Sequence, residues 1–345
     1  MYKHKPSIRD TPVDIGKLAE VKSCLVSLQE DLDDLEETET VLEGIGNLVG
    51  TLDGILSGAK TRKLGFSEVT EKQFQSLMLA NGDLYFDEGM ISNLVQQTTE
   101  ATAIEIASLR KHILDLYQYV NMDHEPGPRA VIDSVLLSLA KIYSTDYPSQ
   151  KVAIFPQLKL GDANGVMMPN ASYETVYLTG CVDYGVISYK NEAQNTGMSQ
   201  PFLPFLHFMT SPRQLAKLLS QSGTKKCLKF ADSLFFLLKD KHVAEVPLSM
   251  YIPEAVSQAI ALHSVMSGKP HYKHLDEVRF CLTNGKTWIF LVLKRKNSGY
   301  VYYDSAPLSL LPEALERSDM QLRRLMRLLL EWIIPPPSSL YNLKN

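Results

Sequence analysis

Val278-Arg279-Phe280-Cys281-Leu282-Thr283-Asn284-Gly285-Lys286-Thr287-Trp288-Ile289-Phe290-Leu291-Val292-Leu293 reads as two strands and a tight turn. Aliphatic and aromatic residues fill both flanks, and Asn284-Gly285 supplies two residue types that tolerate positive φ, so a hairpin is predicted. Working outward, further strand-like runs lie at 300–304, 233–238, 175–188 and 151–160, with a helical pattern at 253–265 interrupting them. Phe235-Phe236-Leu237-Leu238 is apolar without alternation, the pattern of a central strand covered on both faces. Helical patterns at 130–143 and 320–334 flank the strands, the second stopped by Pro335-Pro336-Pro337. This order predicts an α+β or α/β core built on a mixed sheet flanked by helices.

Upstream the pattern is helical. From residue 14 to about 56, apolar residues recur every three or four positions, and an acidic cluster, Glu30 to Glu39, crosses that stretch. Gly44, Gly46, Gly50, Gly54 and Gly58 each disfavour a helix by about 1 kcal/mol relative to Ala, so a break or loop is expected there. A second helical region spans about 67 to 120, interrupted near Asn81-Gly82-Asp83, and Asp123 to Pro128 reads as a linker. The expected division is a helical region at 1–122, a core at 123–335 and a tail at 336–345.

Composition narrows the function classes. The 345 residues are 45% hydrophobic and 21% charged, which suits a folded chain. No apolar run reaches the roughly 18 residues of a membrane span, and residues 1–14 lack the apolar stretch of a signal peptide, so an intracellular protein, nuclear or cytoplasmic, is expected away from membranes. Cys24, Cys181, Cys227 and Cys281 stand singly, read as buried thiols rather than zinc ligands or a disulfide framework. Residues 1–58 hold five Lys/Arg against twelve Asp/Glu, whereas the remainder holds 30 against 27. The acidic front end is read as a solvated face or as a contact surface for a protein partner. The near-neutral body lacks the basic excess of a dedicated nucleic-acid binder, so DNA would be held only in a local groove. Phosphate-binding glycine loops, HExxH and GxSxG are absent, and of the neighbouring His263, His271 and His274 the last two suit an exposed loop better than a metal site.

Three stretches have the character of a metal-dependent nuclease core: Glu125, Arg129 and Asp133 on a helix, Leu178-Thr179-Gly180-Cys181-Val182-Asp183-Tyr184, and Phe235-Phe236-Leu237-Leu238-Lys239. With the 278–290 block they resemble the PD-(D/E)xK nuclease-like proteins expanded in mushroom-forming (basidiomycete) fungi, over roughly residues 125–332. The resemblance implies a restriction-endonuclease-like core. Asp183 takes the strand-acid place, Glu125 the first-helix place and Lys239 the lysine place, with Asp183 and Glu125 as ligands of Mg²⁺. Such a cation would neutralise the charge of phosphodiester hydrolysis.

The acid expected two positions before the lysine falls on Leu237, which removes a charge and an oxygen donor. Glu254, with Gln258 one turn on, is the candidate to compensate. Lys294, Arg295 and Lys296 are candidate phosphate contacts at a hairpin tip.

Each residue also has a plainer reading. Asp183 suits bonding to nearby amides, Lys239 a solvated strand end, Glu125 a favourable charge at a helix start, and Trp288 and Phe290 the core. The expectation is a degenerate nuclease-like protein with weak or no metal-dependent DNA cleavage. The alternative is a non-catalytic module that binds nucleic acid or protein.

Overall fold

The computed structural model describes residues 15–32, 39–57, 61–69, 80–160, 166–168, 175–190, 233–239, 247–267, 277–296, 299–333 and 340–344. It opens with α1 (Ile15–Leu32) and α2 (Glu39–Ser57), packed on each other. Then come β1 (Thr61–Gly65), a 3₁₀ turn at Phe66–Glu68, β2 (Ala80–Phe86), α3 (Glu88–Gln96), α4 (Glu100–Tyr119) and α5 (Pro126–Asp146). Strands β3 (Gln150–Lys159), β4 (Val166–Met168), β5 (Thr175–Thr179), β6 (Cys181–Lys190) and β7 (Ser233–Lys239) follow. The chain continues through α6 (Ile252–Ser267), β8 (Glu277–Thr283), β9 (Thr287–Lys296), β10 (Gly299–Ser305), β11 (Leu308–Ser309), α7 (Pro312–Arg317), α8 (Met320–Ile333) and β12 (Tyr341–Lys344).

The hairpin forms as its sequence predicts. The Asn284 side-chain oxygen accepts from the amides of Lys286 at 3.1 Å and Thr287 at 2.8 Å, and Gly285 turns the chain at φ 82°. A nine-stranded mixed sheet grows from it in the order β12-β2-β10-β9-β8-β7-β6-β3, with β11 beside β9. The pairs β2–β10 and β7–β8 are parallel and the other pairs antiparallel. The apolar strand β7 lies inside this sheet, between β6 and β8.

Alternation along β9 divides the core into two layers. Trp288, Phe290 and Val292 join α5 and α8 on one face, while Ile289, Leu291 and Leu293 join α6 on the other. The second face also carries the small sheet β1-β5-β4. On the first face, Trp332 donates its indole N–H to the Phe280 carbonyl at 3.2 Å and meets the Phe290 ring edge-on at 5.1 Å. Trp288 and Phe290 are therefore core.

The structure corrects several sequence expectations. Helix α2 runs unbroken through Gly44, Gly46, Gly50 and Gly54. A Cβ at Gly44, Gly46 or Gly50 would meet nothing within 4 Å, and buried Ile45 lies between them on the packed side. Packing against α1 outweighs the propensity loss.

Asn81-Gly82-Asp83 is no helix interruption but the middle of β2, paired with β10 and β12. Gly82 is required there, because a Cβ would stand 2.4 Å from the Lys344 carbonyl oxygen and 2.7 Å from the Tyr303 ring. The segment expected to be helical thus supplies strands as well, and across residue 122 helix α4 packs on α5. Pro126–Pro128 begin α5, and the tail contributes the edge strand β12. The single strand expected at 175–188 divides at Gly180 into β5 and β6, in different sheets.

Of the cysteines, Cys281 is buried, but Cys24 and Cys181 are exposed, on an outer face of α1 and at the start of β6. Cys227, His271 and His274 lie outside the described residues. Among the described residues no helix is long and apolar enough to cross a membrane.

Candidate functional site

Helix α5 has Pro at its start, where a missing amide N–H leaves no hydrogen bond unmade. Glu125, its N-cap residue, precedes Arg129 and Asp133 by four and eight positions, so the three share one face. That face lies over β6. The Tyr184 hydroxyl donates to Asp133 Oδ1 at 2.6 Å, and the Arg129 guanidinium sits 5.8 Å from the Tyr184 ring centroid, within cation–π range. Burial, then the bond to Asp133 and its charge, push the Tyr184 phenol well above its ordinary range, with Arg129 opposing. Tyr184, Asp133 and Asp183 all favour the charged guanidinium of Arg129 and raise its pKa, against desolvation.

Asp183 occupies an irregular point of the ladder. Pro156 pairs with Tyr184 and Leu158 with Val182, while Gln157 between them holds φ 53°, in the left-handed region. Strand facing switches here. Phe155 and Leu158, three apart, both enter the α6-side core; Val182 and Ile187 enter it too, whereas Tyr184 and Val186 enter the α5-side core. Strand β3 is an edge of the sheet, where Pro156 breaks no interior ladder.

The neighbouring strand brings the remaining motif positions alongside. Leu237 is the register partner of Tyr184 on β6 and of Cys281 on β8, and Lys239 ends β7 opposite Thr283. The hairpin turn closes the same end. A Cβ on Gly285 would lie 2.9 Å from the Pro128 carbonyl oxygen, so the β8–β9 turn abuts the first turn of α5.

Other candidates lie elsewhere. Glu254 and Gln258 belong to α6, which packs on the opposite face of the sheet from α5 and its Asp133. They face each other, the Gln258 amide nitrogen 3.5 Å from Glu254 Oε1. Lys294, Arg295 and Lys296 end β9 at the tip of the β9–β10 hairpin, where Lys296 pairs with Gly299, and the ladder puts Lys294 opposite Glu277 while Trp288 is opposite Thr283. The basic run is thus roughly 20 Å along the strands from Lys239. Lys294 pairs with Glu277 at 3.2 Å and Lys296 lies over the Tyr303 ring.

Among the described residues, no three His, Cys, Asp or Glu side chains come together as a set that could hold a metal ion. The donor set does not fit Mg²⁺: Asp133 and Asp183 lie near enough the Arg129 guanidinium to favour its charge, and leucine stands at position 237. Tyr184 and Gln157 are the site residues that sequence reading missed. A tyrosine next to the strand acid was visible, and a proline inside a strand pattern signalled an edge irregularity at 156–157. The chain matches no protein-family model and no curated protein.

Proposed function

We propose that this chain is a degenerate PD-(D/E)xK nuclease-like protein whose metal-dependent DNA cleavage is weak or lost. The observation supporting this reading is the position of Arg129, on the Tyr184 ring with Asp133 and Asp183 near enough to stabilise its charge. A divalent cation approaching these acids meets a charge of its own sign, and the hydrocarbon of Leu237 adds no oxygen donor. The arrangement suits a rigid polar junction between α5 and β6, on a scaffold that binds rather than cuts.

The test is a plasmid relaxation assay with the full chain in Mg²⁺ and in Mn²⁺, paired with calorimetry of Mg²⁺ addition to millimolar concentration. Little or no cleavage and no saturable heat are expected. Metal-dependent cleavage that runs to completion within minutes at equimolar protein and disappears in Asp183→Ala would overturn the proposal and restore a full catalytic role to the acid.

The alternative is binding of nucleic acid at the basic end of β9. Arg295 is exposed there, whereas Lys294 is engaged by Glu277. On that reading DNA affinity falls steeply with salt and drops in Arg295→Ala.

A further inference from the structure

Among the described residues, helices α1 and α2 expose apolar side chains along one side of their hairpin. On α2, Leu42, Ile45, Val49 and Leu52 form the packed stripe, whereas Val41, Leu48 and Ile55, seven apart, are 50%, 55% and 51% exposed. On α1, Val21 and Leu28, also seven apart, are 49% and 45% exposed. A seven-residue repeat keeps side chains on one line of a helix, so each helix carries a second apolar stripe beside its packed one.

The two stripes make one surface. Lys22 of α1 bridges Asp53 of α2 while a short segment joins the helices, so they run antiparallel. This register brings Val21 to the level of Ile55 and Leu28 to the level of Leu48. On both helices the exposed stripe is displaced from the packed one in the same rotational sense. In an antiparallel pair of right-handed helices, that places both stripes on the same side.

Charge decides the occupant. On the flank away from the packed stripe, the exposed apolar residues of α2 are bordered by Gly44 and Thr51, both uncharged, whereas Glu43 falls well round the helix from Leu48. A basic amphipathic helix docked on this stripe would find its counter-charges away from the contact. A second copy of the same face meets no like charge at its centre, and glycine at position 44, with nothing within 4 Å of its Cβ position, admits close helix approach. The helices, 18 and 19 residues long, span about 27 Å. Two abreast offer about 500 Å² per copy, so a symmetric pair buries about 1,000 Å², the lower bound for a specific interface.

We propose that this face pairs with its counterpart in a second copy of the chain, forming an antiparallel four-helix bundle by an isologous contact. Sedimentation equilibrium of the full chain between about 1 and 100 µM tests it. A dimer is expected, with Leu48→Glu weakening it by at least about 100-fold and Glu43→Lys leaving it intact. Helix content by circular dichroism should be unchanged in both variants; Leu48→Gln repeats the test should Leu48→Glu lower it. A wild-type chain that stays monomeric, or a dimer that survives both Leu48 variants, overturns the proposal. So does a monomer that takes up a basic amphipathic peptide on this face.

Discussion

The Tyr184 hydroxyl, 2.6 Å from Asp133 Oδ1, ties β6, the strand beside the edge strand β3, to α5 through a ring that is only 1% exposed. Asp133 is itself exposed, so its carboxylate can turn to water when the phenol is removed. Tyr184→Phe is therefore expected to lose only about 1 kcal/mol in urea unfolding at neutral pH. The alkaline limb is more informative. The folded phenol ionises above the ordinary range, so the unfolded chain releases its proton first, and stability falls as pH rises past about 10. Tyr184→Phe should flatten that fall.

Asp83 and Asp304 are register partners on the parallel strands β2 and β10. Burial first, then the charge of Asp83, raise the Asp304 carboxyl above its ordinary range. Below the unfolded carboxyl value both states are protonated and this group has no effect. As pH rises, the unfolded chain ionises first and folding loses stability, a loss that is complete once the folded carboxyl has also ionised. Asp304→Asn should gain stability over wild type between acid and neutral pH, measured as the change in urea midpoint difference. A midpoint difference independent of pH would count against the raised carboxyl.

Gly285 holds φ 82°, and a Cβ there would stand 2.9 Å from the Pro128 carbonyl oxygen. Gly285→Ala should destabilise by about 2 kcal/mol, combining the left-handed penalty with a displaced helix start. Asn at this position relieves the dihedral penalty but keeps the clash, so it should recover only part of the loss in the same unfolding experiment.

These elements also mark what was legible in the sequence. Asn284-Gly285 and the alternating Trp288 and Phe290 carry their structure locally, in turn chemistry and a period of two, and both appear as read. β2 and β12 do not: Asn81-Gly82-Asp83 resembles a loop until Tyr303 and the Lys344 backbone close on Gly82, contacts made by residues more than 200 positions away. The glycines of α2 read as a break because glycine propensity is local, whereas the packing of α2 on α1 is not. At the candidate site, Asp183 and the α5 face were recognisable as polar groups at set spacings. That Glu254 lies across the sheet follows only from which layer α6 joins.

Arg129 supplies a direct test of charge compensation. Arg129→Ala removes the guanidinium whose charge Asp133 and Asp183 stabilise, and leaves those acids with less compensation. The variant is expected to show a weak millimolar response to Mg²⁺ in calorimetry where wild type shows none, and the response should vanish in Arg129→Ala combined with Asp183→Asn. Cleavage should not appear, since position 237 still offers no oxygen donor. A variant as indifferent to Mg²⁺ as wild type would mean that Arg129 is not what excludes the ion.

Gln157 is the one non-glycine residue with positive φ among the described residues, and it stands between the paired rungs beside Asp183. Left-handed backbone costs a non-glycine residue about 1 kcal/mol, because Cβ crowds the following carbonyl. Gln157→Gly removes that crowding at the expense of a more flexible unfolded chain, and a net gain of about 0.5 kcal/mol is expected in urea unfolding. Gln157→Val, branched at Cβ, should instead lose about 1 kcal/mol or more. The strain has a structural consequence, since the same point reverses which core the strand faces and leaves Asp183 at the crossing between layers. If Gly and Val at this position give equal stability, the left-handed turn is not a constraint on the ladder, and Asp183 owes its position to the α5 contacts alone.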